Sequence, residues 1–175
     1  MDILTLLQQK YSKATCNEIV ILVGDNQLRF DVLFQHFLTG TDKVTQMAGW
    51  PLTYCIQLHP NFINKHYPQL LQFVQQPNTH HAVKRNTVRL LQFVTIPKKY
   101  QGTVMDICFS YVAAPKEPVA TKVFALMVLS NLAAIYPEIT PEVVALIQQQ
   151  LPHQRPSFIY RANQFLKKHN RNIGY

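Results

Sequence analysis

Acidic residues and glycine are both scarce in this chain of 175 residues, which holds nine Asp and Glu together and five Gly. So few glycines leave little for the positive-φ turns of a β-sandwich or for a phosphate-cradling loop. Cysteine is scarcer still. Cys16, Cys55 and Cys108 are odd in number and widely spaced, which excludes a disulfide framework and the paired spacing of a structural zinc site. All three are expected to be inert buried thiols, Cys55 and Cys108 with apolar neighbours in Ile56, Ile107 and Phe109. The longest apolar run, Val123 to Leu129, falls far short of a bilayer span. The opening Met1-Asp2-Ile3 places an acid where a secretion signal carries bases. The expectation is a protein of the reducing cytoplasm with no membrane partner.

What is present is apolar and basic. Hydrophobic residues make up 47% of the chain and charged ones 15%, a balance that favours a folded core of single-domain size. The net charge of +8 is confined to one half. Up to His81, five bases face five acids; from Ala82 onward, twelve bases face four acids. A basic half-molecule points to a polyanionic partner or to a surface kept soluble by like charge.

A repeat underlies the pattern. The ten residues from Tyr67-Pro68-Gln69-Leu70-Leu71 align without a gap on those from Thr140-Pro141-Glu142-Val143-Val144 at an offset of 73, and Gln101 to Ser110 aligns between them at offsets of 34 and 39. Each copy reads as the second helix of a pair, with Pro68 and Pro141 at the first helical position and Thr140 as an N-cap. First helices precede them: Asp42 to Leu58, with Pro51 interrupting it, then Ala82 to Thr95 and Val119 to Tyr136, each ended by an X-Pro step at Pro60, Pro97 or Pro137. Arg85 and Leu90 are echoed by Arg161 and Leu166, so Ser157 to His169 reads as a closing first helix. Asn17 to Val23 and Gln27 to Leu38 form a shorter pair joined by Gly24-Asp25-Asn26, after a cap from Met1 to Tyr11. Phe73, Leu90, Ile107, Leu126, Leu129, Val143 and Ile147 occupy equivalent apolar stations and are expected in the core.

With these second-helix copies, and with Arg85-Asn86-Thr87-Val88-Arg89-Leu90-Leu91, Ala120-Thr121-Lys122-Val123-Phe124-Ala125 and Arg161-Ala162 in the first helices, the chain resembles the HEAT repeats of the armadillo-like class. The resemblance implies an all-α fold, a right-handed α-α superhelix of stacked antiparallel helix pairs, in one domain. Residues 1–39 would form a cap and short pair, 40–81, 82–118 and 119–156 three repeats, and 157–175 a closing helix. It also implies scaffold, adaptor or nucleic-acid-binding roles.

No residue is assigned to catalysis. Ser-His-Asp order, a phosphate loop and a dinucleotide fingerprint are missing, and no cofactor is implied. HEAT-like DNA glycosylases hold a damaged nucleotide with aromatic and acidic side chains, for which this chain offers only Trp50 and Asp106. Packing in a helix-pair groove suits Trp50, and an ion pair with Arg85 or Lys122 suits Asp106. Among the histidines, His59, His66, His80 and His81 lack a local set of partner ligands, so no metal is assigned and a polar loop is expected. What remains is a basic ridge of Arg85, Arg89, Lys122, Arg161, Lys167 and Lys168, with Arg171 beyond it. Aromatics are thin around it, Tyr100, Tyr111, Phe158 and Tyr160 at most, whereas single-strand binders interleave them with bases. The leading reading is a non-catalytic scaffold or adaptor for another protein. The alternative is a solenoid that grips a nucleic-acid phosphate backbone.

Overall fold

The computed structural model describes residues 2–169, and among them every regular element is a helix. The chain divides between Thr95 and Ile96 into two compact units. The division falls inside the segment 82–118.

The first unit contains α1 (Ile3–Leu7), α2 (Lys13–Val23), α3 (Gln27–Thr39), α4 (Asp42–Leu58), α5 (Tyr67–Val74) and α6 (His81–Leu91). Side-chain caps set several of the starts: Asp2, Ser12 and Asn26 accept from the backbone N–H of Thr5, Thr15 and Arg29. The Ser12 cap explains why α2 begins four residues before the expected Asn17. Gly24 then ends α2 at φ 53°, a conformation that residues with a Cβ rarely adopt. The first helices of successive pairs pack side by side, α2 on α4 and α4 on α6, while α3 packs on α4.

The helix α4 corrects the reading of Pro51. Although proline removes one backbone hydrogen bond, α4 runs unbroken from Asp42 to Leu58 with Pro51 buried inside it. Two turns of tertiary packing on each side outweigh the lost bond: Val44, Met47, Ala48, Leu52, Cys55 and Ile56 are all buried.

Successive pairs are joined by side-chain hydrogen bonds that repeat the sequence period. Gln27 donates to the Phe62 carbonyl at 3.0 Å, His66 Nε2 lies 2.7 Å from Asp31, and Gln35 donates to Gln69 at 3.1 Å, each across 34 or 35 residues. They tie α3 to the 3-10 segment Pro60–His66 and to α5.

The second unit contains α7 (Lys98–Ala113), α8 (Val119–Ala133), α9 (Thr140–Gln150) and α10 (Pro156–His169). Here α7 packs on α8, α8 on α10, and α9 on α7 and α10. Tyr136 donates to Gln101 at 2.5 Å, again across 35 residues, and Gln101 donates to the Ile96 carbonyl at 2.8 Å. The X-Pro steps enter 3-10 segments of different length, seven residues from Pro60 and three from Pro137, whereas α7 begins directly after Pro97.

Those 3-10 segments correct the capping assignment. Thr140 is the first residue of α9 and buried, Ile139 holds the cap position without a side-chain bond, and Pro68 and Pro141 stand second in their helices. A helix that continues from a 3-10 turn receives its first N–H groups already partnered, so no capping hydroxyl is needed. The core expectation holds for Leu90, Ile107, Leu126, Leu129, Val143 and Ile147, all buried; Phe73 instead stays partly exposed on α5, where Leu70, Leu71 and Val74 take the inward stations.

Candidate functional site

The helix α8 is apolar almost all round, and it buries its Lys122–Leu126–Leu129 face as one stripe. Positions four and seven apart share a helix face, so the lysine is carried inward with the two leucines. Lys122 is 1% exposed, and its Nζ donates to Gln150 Oε1 at 2.9 Å. Burial pushes its pKa down, and the charge of Glu117 pulls it part of the way back. Lys122 therefore leaves the basic ridge, because its ammonium points into the unit rather than to solvent. The i, i+4, i+7 spacing to Leu126 and Leu129 was the sequence signal that could have placed it.

The opposite character appears where α8 meets α10. Phe158, Ala162, Phe165 and His169 are the buried face of α10. Beside them, Leu126, Met127, Ser130 and Asn131 of α8 and Tyr160, Arg161, Gln164, Phe165, Lys167 and Lys168 of α10 line a groove of about 690 Å³. Three of the expected ridge residues, Arg161, Lys167 and Lys168, thus meet in one place. No acid stands among the described lining residues.

Arg161 is held in position. Its Nη1 donates to Gln164 Oε1 at 2.8 Å, Gln164 Nε2 donates to the Tyr160 hydroxyl at 2.8 Å, and the guanidinium lies 5.6 Å from the Tyr160 ring centre. These partners orient the cation without neutralising it. Lys167 and Lys168 are exposed, and Leu126 and Phe165 close the floor at 1% and 2% exposure.

In the first unit, Arg85 and Arg89 lie one turn apart on α6, both half-buried. Burial raises the thiol of Cys16 to about 11 against a smaller downward pull from the charge of Arg89. Burial likewise raises Cys55 to about 12 and pushes Cys108 up. These are thiols that stay protonated at neutral pH, in keeping with inert packing. Arg171 lies outside the described residues.

The other candidate residues are distributed differently from expectation. Trp50 does not fill a groove: it is half-exposed, with Tyr11 stacked on it at 5.4 Å and Tyr54 at 6.2 Å. Asp106 is exposed on α7 and pairs with neither proposed base among the described ion pairs. His66 is not in a polar loop but buried, its ring 4.1 Å from that of Phe34 and bonded to Asp31. His80 opens α6 by accepting from the Ala82 N–H. Asp31 also accepts from Lys65 and Gln27. Burial pushes the Asp31 pKa up, but the hydrogen bonds from Lys65, Gln27 and His66, with the Lys65 charge, outweigh it and hold the carboxyl below its ordinary value. Among the described residues no three His, Cys, Asp or Glu gather as metal ligands, and no helix is long and apolar enough to cross a membrane.

No curated protein and no solved structure matches the chain. A family model described as the HEAT repeat domain matches residues 3–168. That span takes in α1 to α10 and the recurring 34- to 35-residue hydrogen bonds between successive helix pairs. By sequence and by fold, the chain belongs to the HEAT repeat family.

Proposed function

We propose that the protein is a non-catalytic scaffold of the cytoplasm that binds another protein through the groove between α8 and α10. The observation that carries this reading is the lining of that groove, three cations, one of them the oriented guanidinium of Arg161, over an apolar floor, with no acid among the described lining residues. Protein interfaces combine apolar anchors with a polar rim in this way, and arginine is enriched at them. HEAT repeats commonly mediate protein interactions, and burial of all three thiols, with no assembled acid–base pair in the groove, favours binding over chemistry.

The alternative is binding to a phosphate backbone through the same bases. Arg161, Lys167 and Lys168 give that reading three phosphate contacts in the groove, which corresponds to a log-log salt slope of about −2.7 on duplex DNA at roughly −0.9 per contact. Titration of labelled mixed-sequence duplex and single strand at low salt, beside an immobilised peptide library, separates the two. The scaffold reading expects peptide binding that Met127→Glu abolishes, and no saturable nucleic-acid binding. Saturable duplex binding with the stated slope would replace it.

A further inference from the structure

The groove between α8 and α10 has two chemistries that a single partner must satisfy together. Its cations are unopposed by any acid among the described lining residues, whereas Lys65 in the first unit is neutralised by Asp31. Its floor is apolar: Leu126 and Phe165 are closed over, and Met127 beside them is half-exposed. A thioether adapts to the shape of an incoming apolar side chain and makes favourable contact with aromatic ones.

We infer that the occupant is an acidic amphipathic segment of a partner protein, one that sets an apolar side chain on Met127 and carboxylates against Arg161, Lys167 and Lys168. The inference rests on the scaffold reading and adds what the partner presents. Arg161 spends one N–H on Gln164 and keeps the rest of a five-donor fork. A carboxylate takes two of those in a bidentate pair, stronger than the neutral bond already made. Because Gln164 and Tyr160 already fix the guanidinium, little side-chain freedom is lost on pairing. Phosphodiester satisfies the cations but leaves the Met127 floor against water, since it carries no apolar group on the face it turns to bases. A peptide that alternates carboxylates with apolar side chains satisfies both.

The test uses the full chain and four labelled probes of similar length in fluorescence anisotropy. One peptide is acidic and amphipathic, the second replaces its acids by Lys, the third keeps the acids but replaces the apolar residues by Ser and Gln, and the fourth probe is a mixed-sequence single strand. Saturable binding is expected for the first alone, weakened about tenfold or more by the double variant Arg161→Glu with Lys168→Glu. Lys168 is exposed and Arg161 half-exposed, and circular dichroism checks that the variant folds; Arg161→Gln with Lys168→Gln serves if it does not. Binding of the basic peptide in place of the acidic one would overturn the acidic partner while leaving the scaffold reading in place. If no peptide binds, both fall. Oligonucleotide binding that displaces the acidic peptide would hand the groove to phosphate, and acidic-peptide binding indifferent to the double variant would move the site elsewhere.

Discussion

Two buried ionisable side chains, His66 and Lys122, tie stability to charge in each unit. His66 ends the 3-10 segment before α5, with the rings of Phe30 and Phe34 against its own. Burial lowers its pKa below 6.5; the hydrogen bond and charge of Asp31 draw it back up, and Lys65 adds a smaller downward push. The unfolded chain therefore takes up this proton more readily than the folded one. The stabilising contribution is complete above pH 6.5 and is lost as pH falls through the depressed folded value. Asp31, held below 3.8, adds a second loss when acid reaches its own folded value. Proton NMR of the imidazole is expected to show a midpoint below 6.5 in the wild type and lower again in Asp31→Asn, where the upward pull is gone. A midpoint above 6.5 in either would mean that burial is not the ruling effect. Lys122 offers the complementary case. Its hydrogen-bond partner is a neutral amide oxygen that Gln154 also serves, so Lys122→Met removes the cost of a buried charge without orphaning Gln150 and is expected to keep or raise the denaturation midpoint. Lys122→Glu, near the charge of Glu117, is expected to cost about 3 kcal/mol or more. Urea titration reads both, and a loss beyond about 2 kcal/mol for Lys122→Met would make the bond to Gln150 indispensable. Neither residue was placed correctly from sequence. Charge alone suggests the surface, and the deciding facts, a leucine stripe for Lys122 and a distant aspartate for His66, lie in helix register and tertiary pairing.

At the scale of the element, close approach between first helices governs the stack. A Cβ on Gly49 of α4 would come within 2.1 Å of Asn86 Nδ2 and 2.9 Å of Asn86 Cβ, and Asn86 is buried with its amide bonded to the Ala82 carbonyl at 2.9 Å. Gly49→Ala is accordingly expected to destabilise by about 1–3 kcal/mol through overpacking. The penalty should shrink in an Asn86→Gly background, a coupling that a double-mutant cycle measures; strict additivity would show that α4 and α6 do not meet there. In the second unit, Leu126→Ala removes a side chain that is 1% exposed and is expected to cost about 2–5 kcal/mol by transfer and cavity terms. A loss under about 1 kcal/mol would mean that the face of α8 carrying Leu126 is not enclosed. Element order and type were legible because hydrophobic spacing and X-Pro steps are local signals: α4 spans the expected Asp42 to Leu58, and α3 starts at the expected Gln27. Ends were less so. The helix α6 stops at Leu91 and α8 at Ala133, short of their prolines, since proline marks the last residue a helix can reach and not the one at which packing stops supporting it.

For the molecule as a whole, family membership was legible in the aligned second helices, and the 34- to 35-residue hydrogen bonds give that alignment a physical basis. The candidate site was legible in part. Arg161, Lys167 and Lys168 do share a groove, but its apolar floor depends on α8 and α10 meeting, and no spacing within one helix reveals it. The proposed role places the binding surface for a partner protein in the α8–α10 groove. The measurement that tests it most directly is backbone NMR of the full chain titrated with the acidic amphipathic peptide. The largest shift changes are expected at Met127, Ser130 and Asn131 of α8 and at Arg161, Gln164 and Lys168 of α10, and at the same peptide concentration they shrink in the Arg161→Glu with Lys168→Glu variant. Changes centred on α1 to α6, or none at saturating peptide, would contradict it.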